Sequence, residues 1–153
     1  MRKTLGAVCG IVIIFLVFVW LSVSSGNKVY AGIIMDRTLT LSSTNAGAGS
    51  VDYSLAFDVP STTIIKSFKA EICTTVSGFC TTPAGFSGSS ANLSGNPGGF
   101  GDASGWTDES IAGSLRIKNN ANASPPGATQ TVVFSGVTNP SSMATSFFAR
   151  VYT

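Results

Sequence analysis

In residues 51–59 a large apolar side chain occupies every odd position: Val51, Tyr53, Leu55, Phe57 and Val59. Small or acidic residues, Asp52, Ser54, Ala56 and Asp58, stand between them. In an extended chain successive side chains point to opposite faces, so the five apolar groups share one side. In a helix they would scatter around the circumference. The segment therefore reads as a strand with one dry face, and Pro60 stops it. A strand of this kind is stable only where a second layer covers that face.

Other stretches repeat the rule. Leu39 and Leu41 alternate with Thr38 and Thr40 ahead of the Gly-rich turn 45–49. Phe68, Ala70 and Ile72 alternate with Lys69 and Glu71, and Leu115 and Ile117 with Arg116 and Lys118. Residues 131–134 are β-branched and aromatic, the composition of strands, and a further strand is read at 146–152. Beyond residue 31 no segment carries helical periodicity, although a short turn is expected near Asp108, Glu109 and Ser110. Residues 81–105 are crowded with glycine and Pro83 and Pro97, which is turn chemistry. A short strand around 91–93 is expected to cross them, with the root pinned and the body loose.

Six or seven short strands in roughly this length predict an all-β fold, an antiparallel β-sandwich, with a barrel of similar strand count as the alternative. Its expected core is Tyr53, Leu55, Phe57, Phe68, Ile72, Leu115, Ile117, Phe134, Phe147 or Phe148, and Val151.

Ahead of this domain lies a different kind of sequence. Arg2 and Lys3 are followed by an uncharged stretch to Val23, apolar throughout 11–21, and then by Val29, Tyr30 and Ala31. A positive start, an apolar middle and a small residue at the end are the parts of a secretory signal peptide, with the cut expected between Ala31 and Gly32. The apolar run is also long enough for an uncleaved anchor helix. Either reading places residues 32–153 outside the cytoplasm, extracellular or at the cell surface, by Sec-type export. Cys9 stands too near the start to carry a lipid.

The domain 32–153 holds six basic residues (Arg37, Lys66, Lys69, Arg116, Lys118, Arg150) against seven acidic ones, leaving a net charge of −1. No basic excess is left for a phosphate backbone, so no nucleic-acid partner is expected. Membrane contact is expected only through the N-terminal segment.

Cys73 and Cys80 are the cysteines of this domain. In an oxidising compartment such a pair is read as a disulfide, and a loop this short contributes about 2–3 kcal/mol in the chain-entropy model. The chain has no histidine, which removes the commonest general base, the usual nucleophilic triads and the best borderline metal ligand. No serine sits in a nucleophile-elbow pattern, and the glycines around Phe100 lack the lysine and helix of a phosphate loop. Catalysis is not expected, and no cofactor or metal is called for. The one local concentration of carboxylates is Asp102, Asp108 and Glu109, around Trp106. Two readings stand side by side: an exposed indole and oxygen ligands that hold Ca²⁺ or a sugar, or a polar loop with Trp106 tucked into the sandwich edge.

Six segments together resemble a known kind of protein. These are residues 37–43, 51–57 and 68–75, the paired-cysteine run 78–83, and 137–140 with 147–151. The chain resembles the secreted, single-domain, Ig-like β-sandwich surface proteins of small-genome bacteria. The resemblance implies an Ig-like fold and a surface or secreted location, and it carries no catalytic residues. Such proteins continue past the position of Tyr152 with another strand. The sequence stops inside strand-like residues, which is expected either from truncation or from completion of the sheet by a strand of another subunit. The expected function is a non-catalytic structural or adhesion module contacting protein or glycan at the cell surface. The alternatives are a pilin-like fibre subunit completed by strand donation, with self-association through edge strands, and a glycan-binding module.

Overall fold

The computed structural model describes residues 34–60, 62–142 and 146–153. The expected signal or anchor segment, 1–31, and the cut between Ala31 and Gly32 lie outside the described residues. Among these residues there are eight strands: β1 (Met35–Leu41), β2 (Val51–Asp58), β3 (Ser67–Cys73), β4 (Asn92–Leu93), β5 (Thr107–Asp108), β6 (Ser114–Lys118), β7 (Thr129–Val137) and β8 (Phe148–Tyr152). They form two four-stranded sheets, β1-β2-β7-β4 and β5-β6-β3-β8. Every pairing is antiparallel, and no helix occurs among the described residues. The all-β, two-sheet, sandwich-like expectation holds.

The alternation of β2 becomes the floor of the core. Val51, Tyr53, Leu55, Phe57 and Val59 are all buried, as are Val132, Phe134 and Val137 of the neighbouring β7. The other sheet supplies Phe68, Ala70 and Ile72 from β3, with Leu115 and Ile117 from β6. The sheets meet through aromatic rings. Phe57 stacks on Phe68 at 5.2 Å between centroids, and Phe100 stands edge-on to both at 5.8 Å. Such pairs add to the free energy of apolar burial.

Phe100 comes from the long Gly-rich segment, and so does Phe86, likewise buried. That segment is tied down well beyond its root. Ser87 bridges to Thr138 and Gly98 to Thr131, and the expected short strand is β4, paired with β7 through Asn92 and Leu93. The two turns beside these ties depend on glycine. Gly99 (φ +73°) lies so close to the carbonyl of Thr129 that a Cβ would overlap it. Gly136 (φ +78°) lies in a three-residue step of β7, Phe134 to Val137, opposite a two-residue step of β2, where a Cβ would stand 2.5 Å from Ser90 O.

Buried amides hold the connections that lack ladder bonds. Gln130 accepts from Val59 N (2.8 Å) and donates to the carbonyls of Gly127 (2.7 Å) and Gly99 (3.1 Å). Asn122 donates to Ile65 O (2.7 Å) and Phe100 O (2.8 Å) and accepts from Asp102 N (2.9 Å). Each fully buried amide replaces water for loop backbone that would otherwise be orphaned.

Three expectations need correction. Phe147, Phe148 and Val151, assigned to the core, are only partly buried. The expected turn at Asp108 is instead the short edge strand β5, paired with β6. Phe86, Phe100 and Trp106 belong to the core without any periodic signal, because irregular segments deliver them.

Truncating the ring that bridges both sheets has a clear expected cost. Phe100→Ala removes a fully buried side chain and should destabilise the domain by about 3–5 kcal/mol. Urea unfolding followed by circular dichroism measures it, and a loss below about 1 kcal/mol would contradict this packing.

Candidate functional site

The acidic segment expected around Trp106 does not converge. Trp106 is 8% exposed, its ring lies 5.2 Å from Phe100, and its Nε1 donates to Asp102 O at 2.9 Å. Of the two readings, the tucked indole is the one observed, and no ring face is left to stack on a sugar. The Asp102 carboxylate accepts from Ser124 Oγ and from Ala123 N. The Ser124 hydroxyl, then the Ala123 amide, hold its pKa below the usual carboxylate range. Asp108 Oδ1 accepts from Ser110 N at 2.8 Å, and Glu109 faces Lys118 at 3.9 Å. Asp102 serves the Asn122 loop while Asp108 and Glu109 serve the β5–β6 edge. They do not form a common oxygen cage.

Cys73 and Cys80 are joined as a disulfide. They fall into a group of potential ligands with Glu71, but disulfide sulfurs offer no thiolate, and Glu71 is held by Lys69 at 2.8 Å. The bridge instead closes the loop 74–79. Thr74 N donates to Thr81 O across its base, and Thr75 Oγ1 donates to Phe79 O. Arg150 then clamps the loop from β8, donating to Gly78 O (2.6 Å), Thr75 O (2.8 Å) and Thr75 Oγ1 (2.9 Å). So many bonds on so few residues leave the loop one shape, yet that shape points two apolar groups outward. Phe79 is 88% exposed and Val76 70%.

A second feature lies beside this loop. Sheet edges β1 and β8 face each other along one flank, and the layers are not closed between them. Two adjoining cavities, of about 300 Å³ and 570 Å³, run along the gap and share Leu39, Phe147, Phe148 and Ala149. Tyr53, Leu55, Phe57 and Ile72 reach into it from the central strands. Leu39 and Leu41 pair with Leu55 and Tyr53 and so point inward, as do Ala149 and Val151, opposite Ile72 and Ala70. Despite that inward position none of these four is fully buried. The open flank is an apolar trough, and Val76 of the disulfide loop stands at its mouth.

The outer face of the β5-β6-β3-β8 sheet carries Lys69, Arg116 and Lys118 around a shallow groove with Glu109. Lys69 is paired with Glu71 and lies 4.4 Å from the Tyr152 ring centroid. Cations and carboxylates alternate there, so the face is polar without being a phosphate track.

The disulfide pairing was legible from the cysteines alone. The trough was not, because Leu39, Leu41, Phe147 and Val151 look like any apolar strand residues until strand order shows that no described strand lies between them. Comparison with family models, with curated proteins and with solved structures finds no match.

Tyr53 links the trough to the core. Its hydroxyl donates to Asn139 Oδ1 at 2.8 Å, and Asn139 Nδ2 donates to Ser43 O and Asn45 O. Burial pushes the Tyr53 pKa up to about 12. A raised folded-state pKa means the contribution is complete below the ordinary value near 10 and is lost as pH rises toward about 12. Stability should therefore fall across that window, and Tyr53→Phe should flatten the fall. Denaturant midpoints at stepped pH measure both, and an unchanged slope in the variant would contradict the assignment.

Proposed function

We propose that this chain is an exported, non-catalytic structural or adhesion module that works outside the cytoplasm, secreted or at the cell surface. The observation that carries the reading is the loop 74–79. It is clasped by the Cys73–Cys80 disulfide, clamped by Arg150 and aimed so that Phe79 and Val76 meet solvent. A protein normally hides an apolar side chain of this size, and a rigid, exposed aromatic is the form taken by a binding anchor, since little conformational entropy is lost when it docks. The disulfide favours an oxidising compartment, and the apolar stretch with its Ala31–Gly32 cut site is the export signal, cleaved or retained as an anchor. An Ig-like arrangement is supported by two antiparallel four-stranded sheets whose chain order crosses between layers.

The absence of histidine and the dispersal of Asp102, Asp108 and Glu109 leave no acid–base pair, which supports a binding role over an enzymatic one. The buried Trp106 favours a protein partner over a glycan.

Two measurements test this. A membrane-impermeant amine reagent applied to intact producing cells should label the domain at exposed Lys66; labelling only after lysis would overturn export. Beads coated with the purified domain should attach to those cells. The double variant Val76→Ser, Phe79→Ser should reduce attachment at least about five-fold with the melting temperature moved by no more than about 2 °C, because exposed groups contribute little to folding. Undiminished attachment would overturn the loop's role.

A further inference from the structure

The four sheet edges are not alike. An edge strand exposes unpaired N–H and C=O groups, and stable proteins blunt it with shortness, bulges, proline or charge. β4 and β5 are two residues each. β1 is broken by a register shift between Met35 and Thr38, where Asp36 takes φ 47°. β8 has none of these devices. It pairs with β3 in unbroken register from Lys69↔Tyr152 to Cys73↔Phe148, contains no glycine or proline, and has its one charge, Arg150, drawn away by the disulfide loop. The one regular free edge among the described strands therefore borders the apolar trough between the sheets.

We propose that this trough is a strand-acceptor site: an extended segment of another polypeptide adds to the free edge of β8 and buries alternate apolar side chains over Leu39, Leu41, Phe147 and Val151. Backbone pairing supplies affinity, and the alternating pockets supply selectivity. The cavities place Leu41 near Phe147–Ala149 and Arg37 near Arg150–Tyr152, so β1 and β8 run in opposite directions. An incoming strand pairs antiparallel with β8, the more stable arrangement, and its start lies at the Arg37 end. Among the described residues, the charged ones lining the trough are Arg37 and Arg150, with no carboxylate. With Arg150 engaged by the loop, Arg37 is left to receive an acidic residue near the start of the segment. The site goes beyond the adhesive reading and stands without it.

The test uses the purified protein and a fluorescently labelled seven-residue peptide of alternating valine and threonine led by one aspartate, with binding read by anisotropy. Saturable binding is expected. The same peptide N-methylated at alternate amides should bind at least about ten-fold more weakly, since a strand without donors cannot pair. Arg37→Glu, at an exposed position that leaves folding intact, should weaken binding several-fold, and replacing the peptide's aspartate by lysine should restore it. Equal binding of the methylated peptide, or no binding at millimolar concentration, would overturn the site. An unchanged affinity in Arg37→Glu would overturn the acidic assignment. Sedimentation showing a dimer that excess peptide does not dissociate would also overturn the proposal, because a second copy would then fill the trough.

Discussion

The structure depends on the removal of aromatic and aliphatic faces from water between two sheets that share no hydrogen bonds with each other. Strand pairing orders each sheet internally, but only side-chain contact joins them. Phe57 and Phe134 from one layer and Phe68 from the other meet in stacked pairs, and Phe100 plugs the same cluster from a loop. At roughly 25 cal/mol per Å² of apolar surface, burying such rings outweighs any exposed ion pair in this molecule. The ion pairs Lys69–Glu71 and Lys118–Glu109 both retain solvent contact.

That constraint explains why so irregular a sequence folds. Residues 81–105 cannot form long strands, yet they carry Phe86, Ala91 and Phe100 into the interior. Burying those side chains drags loop backbone out of water, and its polar groups then need partners. Asn119, Asn122 and Gln130, all buried, supply them at the carbonyls of Ser104, Phe100 and Gly99. The apolar anchors and the buried amides are two halves of one solution: the first draws the loop in, and the second makes its burial tolerable.

The strands were legible in the sequence wherever one face is wet and the other dry. Residues 51–59 state the strand, its face and its end without help. Leu115 with Ile117, and Phe68 with Ile72, do so nearly as well. What could not be read were contributions that depend on three-dimensional partners. Phe100 sits among glycines with no period to mark it, and Trp106 beside three carboxylates resembles a binding loop until its ring is found against Phe100. β1 and β8 show the opposite failure. Leu39 and Leu41 mark a strand and Val151 was expected in the core, whereas strand order leaves Leu39 and Val151 facing a gap. Periodicity reports which side of a strand is apolar, and it is silent on whether a neighbour covers it. Here that silence falls on the trough.

The disulfide loop and the trough are neighbours joined through Arg150, whose backbone belongs to the free edge strand and whose guanidinium holds the loop. The central claim, that one flank of this two-sheet domain is open beside an unpaired β8, is tested most directly by amide hydrogen exchange of the free monomer. Open-flank geometry predicts slow exchange through β2, β3 and β7, and along β8 an alternation, with amides turned toward β3 protected and those turned away exchanging close to the rate of an unstructured chain. Uniform protection along β8 would mean that its outer edge is already paired, and would contradict it.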